Sequence, residues 1–397
     1  LRRIFITGAT GFIGGRLAEV ACQRNISVVG LVRTWSHAAR LSRLPVQMMH
    51  GDVLDPDSLH EAMIGCDEVF HCAVDNRIGG DAHHRVSVEG TANVMQAALD
   101  LGVKRVIHLS SVAVYSYRPD PHTMTEEGGY RYSGDVYCDG KIDSEKVALL
   151  YCQEHALPVT VLRPTIVYGP FGDYTVDTLA LIRQGRMVLV DGGRGVCNGL
   201  YVDNLVEAML LAALSEQAVG KVFHISDASP IAWKEFIEAH AQAIGDSYLP
   251  LREMTTQEIV AARAQMSNHP ISSLEQTLRL IRDSRARRAL RSVPAVERAV
   301  GVGKTVARFV LPASARRRLR QSLLRSSSDV QIAKQAESPR PLSQSEEFMI
   351  TAFDKVVFRI EKARRVLGYD PKIDFAEGMK RTTAWIKWAQ LQGGMNT

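Results

Sequence analysis

The chain has 397 residues, 46% apolar and 23% charged, which fits globular material and is long enough for two domains or one elaborated α/β domain. Its apolar runs fall short of the roughly 18 residues that a membrane-spanning helix needs. Its six cysteines (Cys22, Cys66, Cys72, Cys138, Cys152, Cys197) form no C-x-x-C pair, against a structural zinc or disulfide framework and with a reducing cytoplasm as the default compartment. The net charge of +5 conceals an asymmetry, because residues 279–325 carry 14 Lys/Arg against Asp283 and Glu297, so that segment holds +12 and the remainder −7.

The first fourteen residues organise the rest. Arg3 to Thr7 is a short apolar run suited to a buried parallel strand, and from Phe12 onward (FIGGRLAEVAC) the apolar residues take helical spacing. Between them Gly8, Gly11 and Gly14 stand as G-x-x-G-x-x-G. Glycines there let the backbone approach a pyrophosphate, and a helix opening near Gly11 to Gly14 points its free N–H groups at that phosphate. Further strands are predicted at 27–33, 46–50, 67–73, 104–111, 159–163 and 222–225. Helices are predicted at 57–64, 85–101, 137–154, 203–214 and 230–245, with Asp203 or a neighbour capping one and Pro230 starting another. This alternation specifies a doubly wound parallel sheet of Rossmann type.

From residue 257 to about 345 the rhythm changes. Helical pieces are broken by Pro294, Gly301, Gly303 and Pro312, and a polar stretch follows, before order returns at 354–387 with a turn and a closing helix. The expected organisation is a nucleotide-binding domain over 1–165 and a smaller C-terminal substrate lobe from 166–256 and 348–397, with strand 222–225 returning to the sheet. A basic helical insertion and linker fills 257–347. Three readings compete for residues 279–325: solvated helix faces, a peripheral membrane-surface element, and, with least support, a nucleic-acid contact, since Phe309 is its only aromatic. GVGKT at 301–305 does not complete a phosphate loop, because Arg298 stands where the pattern needs glycine. His83 and His84 are adjacent, so at helical spacing they diverge, and no metal site is expected.

The chemistry centres on Tyr137 and Lys141, four apart at the start of a helix and therefore on one face. An ammonium held there favours the phenolate and is expected to draw the tyrosine pKa down from about 10 towards neutrality, as an acid/base on a hydroxyl or carbonyl requires. The end of the 104–111 strand supplies Ser110 and Ser111.

Together TGATGFIG, GDVLD at Asp52, VFHCA ending at Ala73, LSSVAVY, Y-C-D-G-K and LRPTIVYGP resemble the extended short-chain dehydrogenase/reductase family, the NAD-dependent epimerase/dehydratase superfamily, over residues 3–245 and 354–387. The resemblance implies Ser111 as polariser of the substrate oxygen, Tyr137 as proton donor or acceptor, and Lys141 as grip on the nicotinamide ribose. It implies cofactor contacts at Gly8, Thr10, Gly11, Phe12, Ile13, Gly14, Asp52, Val53, Ala73, Pro164 and Ile166, and a dimer face along 85–101 and 137–154. Arg33 ends the second strand where an acidic residue would bond an adenosine 2′-OH, so the expected cofactor is NAD(P) with a lean to NADP. Ser87 replaces an asparagine common in the family.

Val112-Ala113 after Ser111 argue against dehydration. Ile166 and Cys197 stand where sugar-nucleotide epimerases place an asparagine and an arginine. GRGVCNGLYVDN and FHISDASPIAWKEF are similar to the 3β-hydroxysteroid dehydrogenase-like branch. The expected function is exchange between a secondary alcohol and a ketone on a small molecule, with Tyr168, Arg194 and Tyr201 near the substrate. The enzyme alternative is a nucleotide-sugar epimerase with tightly bound NAD. The non-enzyme alternative is a binding protein whose basic insertion meets membranes or partners.

Overall fold

Alternation along each strand decides the layers. In β1 (Arg3–Thr7) Ile4 and Ile6 enter one hydrophobic cluster and Phe5 the other, as successive side chains on a strand must. The same pattern repeats in β2 (Ser27–Val32), while β3 (Val46–His50), at the sheet edge, is only partly buried. β4 (Glu68–His71), β5 (Arg105–Leu109) and β6 (Val159–Pro164) are wholly buried, as central parallel strands should be. The computed structural model describes residues 2–74, 81–115, 124–245, 251–258 and 356–389. Contacts group 1–256 with 344–397 in one unit and 257–343 in a second, and the basic segment 279–325 lies outside the described residues.

Helices α1 (Phe12–Gln23), α2 (Pro56–Met63), α3 (Asp81–Asp100) and α4 (Val136–His155) follow β1, β3, β4 and β5. Within the same unit, a lobe of short elements begins with β7 (Ile166–Tyr168), α5 (Asp173–Arg183), β8 (Val188–Val190), β9 (Val196–Cys197) and β10 (Gly199–Tyr201). α6 (Val202–Leu214) leads to β11 (Val222–Ile225), and β12 (Ile231–Ala232), α7 (Trp233–Ala243), β13 (Arg252–Met254), α8 (Glu361–Leu367) and α9 (Phe375–Trp388) follow. The main sheet is parallel in the order β11-β6-β5-β4-β1-β2-β3. Strand order therefore reverses between β1 and β4, and a doubly wound sheet opens its ligand crevice at the carboxyl ends there.

Local chemistry sets the ends of the elements. The Asp135 carboxylate accepts from the N–H groups of Tyr137 and Cys138 and so starts α4, which ends at Ala156 in the left-handed region, two residues before Pro158. Two expected caps differ. Asp203 does not cap α6; it accepts two bonds from the Arg16 guanidinium (2.6 and 3.0 Å) and one from Arg381 (3.3 Å), joining α1, α6 and α9. Pro230 does not open α7, because Ile231 and Ala232 first pair with Cys197 and Val196, and the helix begins at Trp233.

Candidate active site

The glycine turn is tighter than its spacing alone requires. Gly8 has φ +68°, and a Cβ there would meet the backbone of Cys72 and Ala73 at 2.9 Å; a Cβ on Gly14 would meet the Gly8 carbonyl oxygen at 2.3 Å. Only glycine fits either place. Gly11 closes the turn by donating to the Gly8 carbonyl (2.9 Å), lies exposed, and begins α1 without a side-chain cap. The helix therefore offers its first turn to an anion at the crevice mouth. Thr10, Phe12 and Ile13 flank it, partly buried. Ala73, at the end of β4, donates its N–H to Thr7 Oγ1 (3.2 Å), which also shares a hydrogen bond with His71 Nδ1 (2.7 Å).

The other expected dinucleotide positions spread along the same edge of the sheet. Asp52 follows β3, where its carboxylate accepts the Leu54 N–H (3.0 Å) and so shapes a turn. Val53 is buried against Gly90, and its carbonyl accepts from Asn93 (3.0 Å). Arg33 is exposed just beyond β2. Pro164 ends β6, buried, and Ile166 opens β7, partly buried.

Ser111, Tyr137 and Lys141 come together at the carboxyl end of β5. Ser111 lies close enough to the Tyr137 hydroxyl to favour its charged form, and Lys141 Nζ lies 6.0 Å from the Tyr137 ring centre. Cys72, whose backbone crowds Gly8, is also among the buried groups near Lys141, which brings the catalytic candidates to the glycine turn. Burial pushes the Tyr137 phenol up to about 12, while the nearby Ser111 hydroxyl pulls it down. The expected drop towards neutrality is therefore corrected. Lys141 Nζ is turned to the Leu109 carbonyl (2.9 Å), and burial lowers the lysine itself to about 8, against the raising influence of Cys72 and Glu145. Ser87, at the asparagine position, is buried with no partner for its hydroxyl among the described residues.

Of the three residues expected at a substrate, two are packing residues here. Tyr168 is fully buried, its ring against Tyr201, Phe236 and Phe375 and its hydroxyl against Gly378; Tyr201 is also buried. Neither presents surface to a ligand. Arg194 is exposed and donates to the Asp191 carbonyl oxygen (3.1 Å).

Sequence reasoning missed Glu145, fully buried in α4. It accepts from Ser110 Oγ (2.5 Å), Tyr130 (3.0 Å) and Arg163 (Nη2, 2.5 Å). Its signal was an acid four residues beyond Lys141, on the helix face that Tyr137 and Lys141 share. No group of three metal-ligating side chains occurs among the described residues.

The sequence pattern of the NAD dependent epimerase/dehydratase family matches residues 4–226, more than half of the chain. The chain belongs to that family. Among its relatives in the family is a 4-hydroxy-2-methyl-3-oxo-4-farnesyl-3,4-dihydroquinoline-1-oxide ketoreductase of Stigmatella aurantiaca, 31% identical over 59% of this chain and 71% of the relative. Another is a 2-alkyl-3-oxoalkanoate reductase of Stenotrophomonas maltophilia, 30% identical over 61% of this chain and 76% of the relative. The fold is shared with a dTDP-glucose 4,6-dehydratase from Streptomyces venezuelae solved with NAD, at TM-score 0.65 and 18% identity over 98% of both chains. This epimerase/dehydratase family member is an NAD(P)-dependent oxidoreductase of the extended short-chain type. Its glycine cradle, which a single Cβ would fill, fits the pyrophosphate of a nicotinamide dinucleotide.

Proposed function

We propose that this protein interconverts a ketone and a secondary alcohol on a largely apolar small molecule, using NADP(H). The observation that carries the reading is the Ser111–Tyr137–Lys141 set at the end of β5, tied through Cys72 to the glycine turn. The nicotinamide would supply or accept a hydride when bound. The protein's part is proton traffic and orientation. Ser111 would hold the substrate oxygen beside the Tyr137 hydroxyl, and a phenol kept protonated by burial serves as the acid that completes ketone reduction. Lys141, beside it, would grip the ribose.

Exposed Arg33 beyond β2 supports a 2′-phosphate, for which a guanidinium is a strong partner. An apolar substrate is supported by the two ketone-reducing relatives. Ile166 and Cys197, where a diphosphate clamp would need polar donors, argue in the same direction. NADPH-dependent reduction of a 2-alkyl-3-oxo acid is the assay. Tyr137→Phe is expected to lower kcat by about 10²–10⁴-fold with NADPH binding kept, the usual worth of a positioned acid. An unchanged kcat would remove the mechanism. Thermal stabilisation by UDP-glucose and not by NADPH would replace the reading with epimerisation.

A further inference from the structure

Beneath Ser111 and Lys141 lies a chain of buried polar groups that the proposed reaction leaves unused. Glu145 occupies the next turn of α4 after Lys141, so Tyr137, Lys141 and Glu145 form one stripe down the helix. Its two oxygens are saturated. Oε2 accepts from Ser110 Oγ (2.5 Å) and Arg163 Nε (3.0 Å); Oε1 accepts from Tyr130 (3.0 Å) and from Arg163 Nη2 (2.5 Å). Arg163 in turn bonds the Tyr115 hydroxyl, which shares a hydrogen bond with His224 Nε2 (2.7 Å). Glu145, Arg163 and Ser110 are all at least 97% buried. Removing two charges from water is costly, and apolar residues of similar volume would hold β6 to α4 as well.

We infer that Glu145 is a positioning residue for the reaction proposed above: clamped by Arg163 and Tyr130, it fixes Ser110, and so the Ser111 hydroxyl, and supplies the counter-charge that keeps Lys141 an ammonium. Ser110 and Ser111 share a peptide, so a hydroxyl locked on one side of the strand end directs its neighbour towards Tyr137. Lys141 Nζ donates its hydrogen bond to a neutral carbonyl, that of Leu109 (2.9 Å). The titratable groups around Lys141 come from every packed element: His71 and Cys72 from β4, His108 from β5, Tyr137 and Glu145 from α4, Arg163 behind Glu145 on β6, and His83 of α3 against Gly140. Burial holds His71 and His108 neutral near pH 7, and it raises the Cys72 thiol to about 12, so neither the rings nor the thiol carries the balancing charge. Glu145 does.

The test is Glu145→Gln in the full chain without dinucleotide, using competitive acetylation with acetic anhydride across pH and peptide mass mapping of Lys141. In wild type the Lys141 midpoint is expected near pH 8, brought down by burial. In the variant the midpoint falls by about one pH unit, as loss of a nearby opposite charge requires. The alkaline limb of NADPH-dependent reduction moves down by the same amount. An unchanged Lys141 midpoint in a folded variant overturns the inference, because a purely structural ion pair would leave that titration alone. If Glu145→Gln does not fold, Glu145→Gln/Arg163→Gln leaves no unpaired charge; losing the guanidinium offsets part of the effect, so a smaller downward shift of the Lys141 midpoint is expected, and no shift overturns the inference. Ser110→Ala should lower kcat about tenfold with KM for NADPH kept, in line with a small misplacement of a reacting group; an unchanged kcat overturns the Ser110 arm. The acetylation needs no substrate. An active Tyr137→Phe enzyme would thus sink the proposed reaction while leaving the Glu145 result to stand or fall by itself.

Discussion

The polar stack under α4 and the aromatic cluster of the smaller lobe are both buried, and they are held by opposite means. Around Glu145 every acceptor position is met by a donor at 2.5–3.2 Å. In the lobe the hydroxyls of Tyr168 and Tyr174, Trp233 Nε1 and His240 Nε2 are buried with no hydrogen-bond partner among the described residues. Directional bonds define the first region to a fraction of an ångström. Ring area and shape define the second, with centroids 5.6–5.9 Å apart around Phe236. The lesson is that groups near the proton chemistry are specified by orientation, and groups in the lobe by fit. The first should be brittle to isosteric change and the second forgiving.

The strongest way to break that comparison is Arg163→Met, which leaves the Glu145 carboxylate buried without its cation. Equilibrium unfolding in urea should show a loss of about 3–5 kcal/mol. A midpoint within experimental error of wild type would mean that the stack is not an orientational lock.

Acid sharpens the contrast from the lobe side. Burial keeps His240 neutral and lowers it to about 4, while its Nδ1 is bonded to the Phe236 carbonyl (2.8 Å). The folded value lies below the unfolded one of about 6.5, so the unfolded chain takes up protons first and stability is lost as pH falls below 6.5. Asp227 acts the other way. Burial raises its carboxyl to about 7, so it adds stability as pH falls through 7. A single variant isolates one group. His240→Gln, whose amide can still donate to Phe236, should remove about 2 kcal/mol of the stability change between pH 7 and pH 5. An identical pH dependence in the two proteins would show that His240 is not held neutral.

The smallest effect should come from Tyr168→Phe, which deletes a buried hydroxyl with no hydrogen-bond partner among the described residues. Stability should stay within about 1 kcal/mol of wild type, with any change favourable, because an unpaired buried hydroxyl costs free energy. A loss above that, read in the same urea titration, would mean that the lobe hides a directional bond of its own.

Much of the sheet was legible because period-two alternation and helical spacing carry it. β1, β3 and β11 fall where the residues place them, and α2, α4 and α6 begin one residue early. The glycine turn and the Tyr137–Lys141 spacing were legible for the same reason, being local geometry. What escaped depends on contacts remote in sequence. The two- and three-residue strands of the lobe, β8 with β13 and β9 with β12, exist only as pairs formed over tens of residues. α5 buries a stripe of Thr175, Thr178, Leu179 and Ile182, and its two threonines hide the helical period. Tyr168 and Tyr201 read as site residues because aromatic hydroxyls near a crevice suggest contact with a ligand, and only the third dimension shows them facing each other. The rise in the Tyr137 pKa was likewise invisible, since burial is not a property of spacing.

The Asp203 carboxylate has a consequence for how the chain is made. It gathers Arg16 from the first helix and Arg381 from the last, and the same last helix seats Gly378 on the Tyr168 hydroxyl. During synthesis the strands can therefore pair as they leave the ribosome, whereas the lobe stays open along one side until residues 375–388 have emerged, and the sheet face that receives Ile360, Ala363 and Leu367 waits for those residues too. Until then its aromatic rings are exposed to whatever chaperone or neighbouring nascent chain is at hand.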